Sequence, residues 1–444
     1  MKLRTRIFNL AVLLLFFSGI SVGAQVVEPS FAQASQSSFH SINKPTNTIT
    51  VNSTRDVISA TDGECTLREA VIAANTNTAS GVAFGECPAG SFIHIDVVQL
   101  PGGTYTLRIS GTNEEYALQG DLDVRQSLKI MRSTGSEAII DAHGIDRIFD
   151  VFENTQLSLQ GLTLKNGDES TDGGGAIRLK VVSASADIRD SIFEDNQTTD
   201  AGGAILTYGN ATFSVSDSIF RRNSAGAAGL GGAIYNNGVG SQIERCLFQA
   251  NSAFTGGAVI NYGTLTVVNS TFSANFASDN GSAIKNNGTL QLEYNTIAHN
   301  TSPLAALFFV PESITTLYSN ILAYNYTVSP VVEMNCHTTS GVLLGTYNFE
   351  TSNTCPFSNP INYPNTEPRL GPLGKYGGFS LTYPLLPGSP AIDTNAVYYP
   401  AQDQRYVTRP LDGNNDTIAS PDSGAFEKDF DIRLIFLPLV TRNP

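Results

Sequence analysis

Gly174-Gly175-Ala176-Ile177, Gly202-Gly203-Ala204-Ile205, Gly231-Gly232-Ala233-Ile234, Gly256-Gly257-Ala258-Val259 and Gly281-Ser282-Ala283-Ile284 are copies of one phrase. The repeat alanines lie 28, 29, 25 and 25 residues apart. A nearly fixed period of this length marks a stacked repeat. A second phrase keeps step with it: Phe193-x-x-Asn196, Phe220-x-x-Asn223, Phe248-x-x-Asn251, Phe272-x-x-Asn275 and Ile297-x-x-Asn300. Weaker copies end at Asn166 and Asn325. Gly209, Gly238, Gly263 and Gly288 each follow the repeat alanine by five residues and mark turns, since glycine takes positive φ without steric cost.

Between these turns run short alternating stretches such as Thr264-Leu265-Thr266-Val267-Val268. Alternation over so few residues reads as strand, and the repeat region carries no helical period. Each repeat is therefore expected to supply about three short strands. One coil of this size cannot bury its own apolar face; stacked coils bury a continuous column. Parallel connections are nearly always right-handed. The expected fold is an all-β, right-handed parallel β-helix. A barrel or sandwich fits worse, because hairpins would not keep one phrase in one orientation. In the β-helix the asparagines form a hydrogen-bonded ladder along the stack, and Gly-Gly-Ala permits tight bends and close coil packing. Asn196, Asn300 and Asn325 also begin Asn-x-Ser/Thr triplets, which we read as turn chemistry, not glycosylation.

The chain has 444 residues and a formal charge of -14, which argues against nucleic acid or an anionic membrane surface as a partner. It has no Trp, which weakens but does not remove the case for a sugar-stacking surface, because Tyr and Phe remain. Lys2, Arg4 and Arg6 precede an apolar run from Ile7 to Ile20 and the small residues Ser21 to Ala24. This is the pattern of a secretory signal peptide over 1–24, and the small residues favour cleavage over an uncleaved anchor. No later run is long enough to span a bilayer. Residues 25–44 read as a linker. Export permits disulfides. Cys65 and Cys87, and Cys336 and Cys355, are near in sequence and flank the repeats, so these two pairs are expected, with Cys246 a buried free thiol.

Residues 45–95 read as an N-terminal cap for the helix's open end, where unpaired strand edges would invite aggregation. Its one helix begins near Cys65: Thr66 and Glu69 have capping-box spacing, and Leu67, Ala70, Val71 and Ala74 share a face. Coils are expected over 96–362, a non-repeat module over 363–427, and a tail over 428–444. That tail carries Ile432 to Val440, too short an apolar stretch to cross a membrane, and is read as a sorting or attachment signal or a final strand.

Cys65-Thr66-Leu67-Arg68-Glu69-Ala70 resembles the motif that names the CSLREA domain, with Thr66 in place of Ser. Gly120 to Val124 and Ile140 to Arg147 look like the opening coils of that family, and the repeat phrases are similar to polymorphic outer-membrane protein repeats. Leu370 to Leu373, Gly377-Gly378, Leu386 to Asp393, Asp403-Gln404-Arg405 and Asp422 to Glu427 resemble the choice-of-anchor Q domain; Tyr406 and Ser423 depart from it, standing where small and aliphatic residues are usual. The resemblance implies a secreted or surface-displayed bacterial β-helix and no particular activity.

An enzyme reading rests on one column. Asp190, Asp217 and Arg245 each stand three residues before a repeat phenylalanine, with Asn269 next, so stacking sets them on successive coils. Uronate-cleaving lyases need carboxylates for Ca²⁺ and a base beside the sugar acid, and two acids with a guanidinium offer both. These three are the candidate catalytic residues of a polysaccharide lyase or glycoside hydrolase. The plainer reading is a polar turn in which Arg245 neutralises Asp217. Asp141-Ala142-His143-Gly144 reads as a turn, and Asp412, Asn414 and Asp416 as a weak calcium-loop pattern. No cofactor or bound metal is expected, extracellular polysaccharide or cell-surface components are the expected partners, and a monomer is expected. The reading as a whole is a non-catalytic extracellular scaffold for adhesion or display, with the polysaccharide-active enzyme or carbohydrate-binding protein as the alternative.

Overall fold

The computed structural model describes residues 47–429, apart from 112–113, 134, 181, 339–342 and 395. The signal peptide expected at 1–24, the linker at 25–44 and positions 430–444 of the tail lie outside the described residues. The described chain is a parallel β-helix of four sheets with eleven, ten, nine and seven strands, whose neighbours come from successive coils. One coil shows the pattern: Ile205–Thr207, Thr212–Ser216, Ile219–Arg221 and Ser224–Leu230 feed the four sheets in turn. The coil thus has four strands where alternation predicts about three. Members of the fourth sheet can be as short as Gln197–Thr198, too brief to show a period.

Registry is strict. Ile205 pairs with Ile234, which pairs with Val259, then Ile284. The phenylalanines of the second phrase enter the interior and stack face to face. Phe193, Phe220, Phe248 and Phe272 have successive ring centroids 4.7, 4.8 and 4.6 Å apart, near the strand spacing. The asparagine ladder forms: the Nδ2 of Asn196 donates to Asn223 Oδ1 at 3.0 Å, Asn223 to Asn251 at 3.0 Å, Asn251 to Asn275 at 2.9 Å, and Asn275 to Asn300 at 2.8 Å. These side chains are fully buried, so each pairing removes a polar group that would otherwise be stranded. Two further ladders run through Asn236, Asn261 and Asn286, and through Asn295, Asn320 and Asn348. The repeat glycine that opens each phrase adopts φ near +70°, as at Gly231 with φ 68, and a Cβ on the following Gly232 would lie 2.1 Å from Gly257 O of the next coil.

The cap helix Leu67–Thr76 begins with the capping box expected of Thr66 and Glu69. Arg68 is its keystone. The guanidinium is fully buried, grips Asp56 at 2.6 and 3.2 Å, and donates to the carbonyls of Ala117, Gly120 and Asp121. Glu69 also accepts from Ser59 N at 2.7 Å. The disulfides Cys65–Cys87 and Cys336–Cys355 form at the two ends of the repeat block, and Cys246 is free and buried. Cys246 lies at a turn just before the strand Leu247–Gln249, in a column with Ser218 and Ser270. No helix among the described residues is long and apolar enough to cross a membrane.

Candidate functional site

The column of Asp190, Asp217 and Arg245 occurs where the chain turns from the eleven-stranded to the ten-stranded sheet. All three residues hold left-handed backbone, with φ of 51, 50 and 53, and the series continues through Asn269, Tyr294, Ser319 and Tyr347 at 50, 54, 53 and 60. From Asp217 onward the turn donates its N–H to the carbonyl of the next coil, as Asp217 N does to Glu244 O at 3.0 Å and Arg245 N to Val268 O at 3.1 Å. The position is a structural corner first, and short polar residues suit its left-handed geometry.

The structure brings Asp217 and Arg245 together. Arg245 Nε and Nη2 donate to Asp217 Oδ1 and Oδ2 at 2.9 and 3.1 Å, and Arg245 Nη1 also meets Glu244. Asp217 is largely buried, and both of its oxygens are engaged in the fork-to-fork geometry that arginine favours. The Tyr406 ring covers the guanidinium, 4.6 Å from its centroid. Burial, together with Asp217, pushes the Tyr406 hydroxyl up to about 12. Tyr406, where the sequence departs from its resemblance to the choice-of-anchor Q domain, stands over the candidate column. Asp190 sits one coil away and is part-exposed; burial and the neighbouring Asp217 raise its carboxyl above the usual range.

From Asn269 onward the column lies beneath the C-terminal module. Asn269 Nδ2 donates to Gln402 O at 2.8 Å, Tyr294 OH to Tyr398 O at 2.8 Å, and Gly424 N to Ser319 O at 2.7 Å. On the adjoining strands Thr271 Oγ1 donates to Gln404 Oε1 at 2.6 Å, and Ser273 meets Tyr383 OH at 2.7 Å. The module is held by a buried charge network. Arg405 pairs with Asp403, and Arg409 with Glu427, all four side chains no more than 1% exposed. Arg409 further donates to the carbonyls of Asp422 and Gly424, and its guanidinium lies 4.6 Å from the Tyr294 ring centroid. Asp403-Gln404-Arg405 and Asp422 to Glu427 are therefore the residues that fasten the module to the flank. Sequence reasoning found these motifs but not their task, because nothing local in them indicates which coils they meet.

Residues 190–208 match the model of the Chlamydia polymorphic membrane protein repeat. The matched stretch spans both stacking phrases, Phe193-x-x-Asn196 and Gly202-Gly203-Ala204. Among solved structures, that of pectate lyase Pel9A is similar at 11% identity and a TM-score of 0.42, over 79% of this chain and 93% of that one. Among curated proteins, none matches the sequence.

The remaining sequence candidates are turns. Asp141 Oδ1 accepts from His143 N and Asn166 Nδ2, both at 2.9 Å. Asp412 accepts from the N–H groups of Asn415, Asp416 and Thr417, Asn414 from Asp416 N, and Asp416 from Ile418 N. These oxygens are spent on the loop's own backbone. One feature escaped the sequence reading. Tyr208, Tyr235 and Tyr262 follow one another along the outer side of the nine-stranded sheet, with ring centroids 5.9 and 5.4 Å apart. The signal was present as Tyr-Gly and Tyr-Asn at the repeat turns, where the glycine drew attention and the ring did not.

Proposed function

We propose that the chain is a secreted or cell-surface β-helix scaffold of the CSLREA and choice-of-anchor Q type, used for adhesion or surface display, and that the Asp190–Asp217–Arg245 column is part of its architecture and not a catalytic centre. The observation that carries this reading is the two-point pairing of Arg245 with Asp217 beneath Tyr406. A guanidinium so engaged offers no free face to a sugar acid, and a carboxylate with both oxygens taken is a poor metal ligand. The two disulfides support an oxidising, extracytoplasmic location.

Purified protein incubated with polygalacturonate and Ca²⁺ is expected to release no unsaturated product. Cleavage that is lost in Asp217→Ala would reverse the assignment. The location is tested by fractionating cells that make the full chain and a form ending at Lys428; export of both, with surface retention only of the full chain, gives the tail its attachment role.

A second reading, carbohydrate binding without cleavage, is favoured by the tyrosine row. Tyr262 is 37% exposed, and rings on successive coils present apolar faces of the kind that sugar C–H groups cover. Retention on a glycan array that disappears in Tyr235→Ala would favour it over a plain display scaffold.

A further inference from the structure

The outer face of the nine-stranded sheet lies away from the corner that holds Asp190, Asp217 and Arg245. Registry sets Leu206, Tyr235, Ile260, Lys285 and Phe308 in one outward column on five successive coils. One residue past each strand runs a parallel column that carries Tyr208, Tyr262 and Asn287. The columns interleave. Tyrosine rings pass from Tyr208 to Tyr235 to Tyr262, 5.9 and 5.4 Å apart, and the next coil brings Lys285 and Asn287. Beyond them Lys285 Nζ lies 5.6 Å from the Phe308 ring centroid, and Phe308 stacks on His337 at 5.2 Å.

This column points away from the core, yet Leu206 and Ile260 are fully buried and Phe308 is 8% exposed. The repeat glycines explain the shelter. A Cβ on Gly256 would lie 2.9 Å from Ile260 Cβ, and one on Gly281 2.9 Å from Lys285 Cβ, so the turns rise against the column as a wall. The result is an apolar trough with Tyr208 and Tyr262 along its other side. Two polar groups in it are unspent. Lys285 is half-buried and makes no hydrogen bond or ion pair among the described residues; Asp279, the acid that acts on it, lies outside ion-pair range and accepts from Asn280 Nδ2 at 2.6 Å. Two residues on, Asn287 Oδ1 is buried without a hydrogen-bond partner. Arg178, which holds the same column one coil before Leu206, is by contrast spent on Asp150 at 2.6 Å.

We propose that this face binds a glycan whose sugars carry carboxylates, with sugar rings on the Tyr208–Tyr235–Tyr262 row, one carboxylate on Lys285 and a neighbouring hydroxyl donating to Asn287. The proposal rests on the carbohydrate-binding reading of the tyrosine row and adds the charge of the sugar and the residue that selects it. Ring faces that recur coil after coil, about 4.8 Å apart along the axis, suit a polymer of rings. An ammonium without a partner, in a sheltered trough, gains most from a charge-assisted bond to a carboxylate. A peptide fits poorly. The strands beneath, from Ile205–Thr207 to Leu307–Phe309, are each paired on both sides, so no sheet edge is open for strand addition. Arg245 cannot take the same part, because Asp217 already engages it.

The test titrates the full chain with alginate and with the same polymer after its carboxyls are reduced to alcohols. EDTA is present, and the salt is about 0.15 M, where the chain's formal charge of -14 is screened beyond about 8 Å. The parent is expected to bind alginate about tenfold more tightly than the reduced polymer. Lys285→Met, melting with the parent, is expected to bring alginate down to the level of the reduced polymer and to leave the latter unchanged. Tyr235→Ala is expected to weaken both by about tenfold. Equal binding of the two polymers by the parent, or unchanged alginate binding by Lys285→Met, overturns the preference for an acid and leaves the carbohydrate reading standing. Binding of neither polymer overturns both. Poly-glutamate bound as tightly as alginate makes the face a plain anion patch and overturns the assignment to sugar. If Lys285→Met does not fold, Lys285→Gln is read in the same way.

Discussion

The ten-stranded sheet presents one surface in two conditions. In its open half the outward residues are Glu194, Arg221 and Gln249, and ion pairs decorate it: Arg221 with Glu194 at 2.5 Å and Arg222 with Asp195 at 2.8 Å. In its covered half the same register positions are Ser273, Ala298 and Ala323, and beside them stand Thr271, Thr296 and Ile321, all nearly or fully buried. The backbone is the same in both, down to the left-handed corner that precedes each strand. Long charged side chains keep one half in water; small ones let the module sit flush on the other. A repeat therefore encodes the coil, and the residues between its repeated phrases encode what the coil touches.

The largest test of that contrast is removal of the fastening. Arg409 donates to Glu427 Oε2 at 2.9 Å and to two backbone carbonyls, with both charged side chains fully buried. Arg409→Ala strands those acceptors and is expected to cost about 3–5 kcal/mol. The module, not the coils, should fail, so limited proteolysis is expected to cut between 363 and 428 while far-UV circular dichroism keeps its β signal. In the open half, Arg222→Ala breaks an exposed pair and is expected to change stability by about 0.5 kcal/mol or less. Similar costs for the two would erase the distinction between covered and open flank.

A smaller effect separates the halves by pH. Burial raises the Glu427 carboxyl from its ordinary 4.5 to about 7, and Asp422 beside it is raised as well, by burial and by Glu427. A raised carboxyl means that the folded module holds a proton that the unfolded chain releases. Its stabilising share is complete below the ordinary carboxylate value and is lost as pH rises through the folded value. Docking is thus expected to weaken from about pH 4.5 to about pH 7, by about 1–3 kcal/mol, as read from denaturant midpoints of module release. Glu427→Gln should flatten the slope. A slope of the opposite sign would mean that Arg409 governs Glu427 more strongly than burial does.

What the sequence disclosed follows from the range of the interactions involved. The coil period, the capping box of Thr66 and Glu69, the ladder from Asn196 to Asn300 and both disulfides were legible because each depends on spacing along the chain or on a single repeated position. The column of Asp190, Asp217 and Arg245 was found for the same reason, and its internal pairing followed from stacking. The cover was not legible. Asn269 meets Gln402 and Thr271 meets Gln404 across 133 residues, contacts that no period announces. Small outward residues such as Ala298 carry no signal of their own in the repeat phrase, and they form the docking surface. Tyr406 illustrates the same limit: it read as a departure from a family pattern, and its meaning lies in Arg245, remote in the chain and adjacent in space.

The boundary between the halves can be located on the column itself. Arg245 is the last side chain before full cover, part-buried against Tyr406 and paired with Asp217, whereas Asp190 is two coils nearer the open end. Arg245→Ala removes the pair's cation and leaves Asp217 buried, so we expect a loss of about 1–2 kcal/mol. Asp190→Ala deletes a part-exposed carboxylate at a turn whose backbone bonds remain, and is expected to stay within about 0.5 kcal/mol. Denaturant unfolding of both variants, each compared with its counterpart in Tyr406→Ala, makes the comparison sharp. If the cover reaches Arg245, the cost of Arg245→Ala shrinks once Tyr406 is gone, while that of Asp190→Ala does not move. If neither moves, Tyr406 rests on the flank without holding it, and the covered half begins at Asn269.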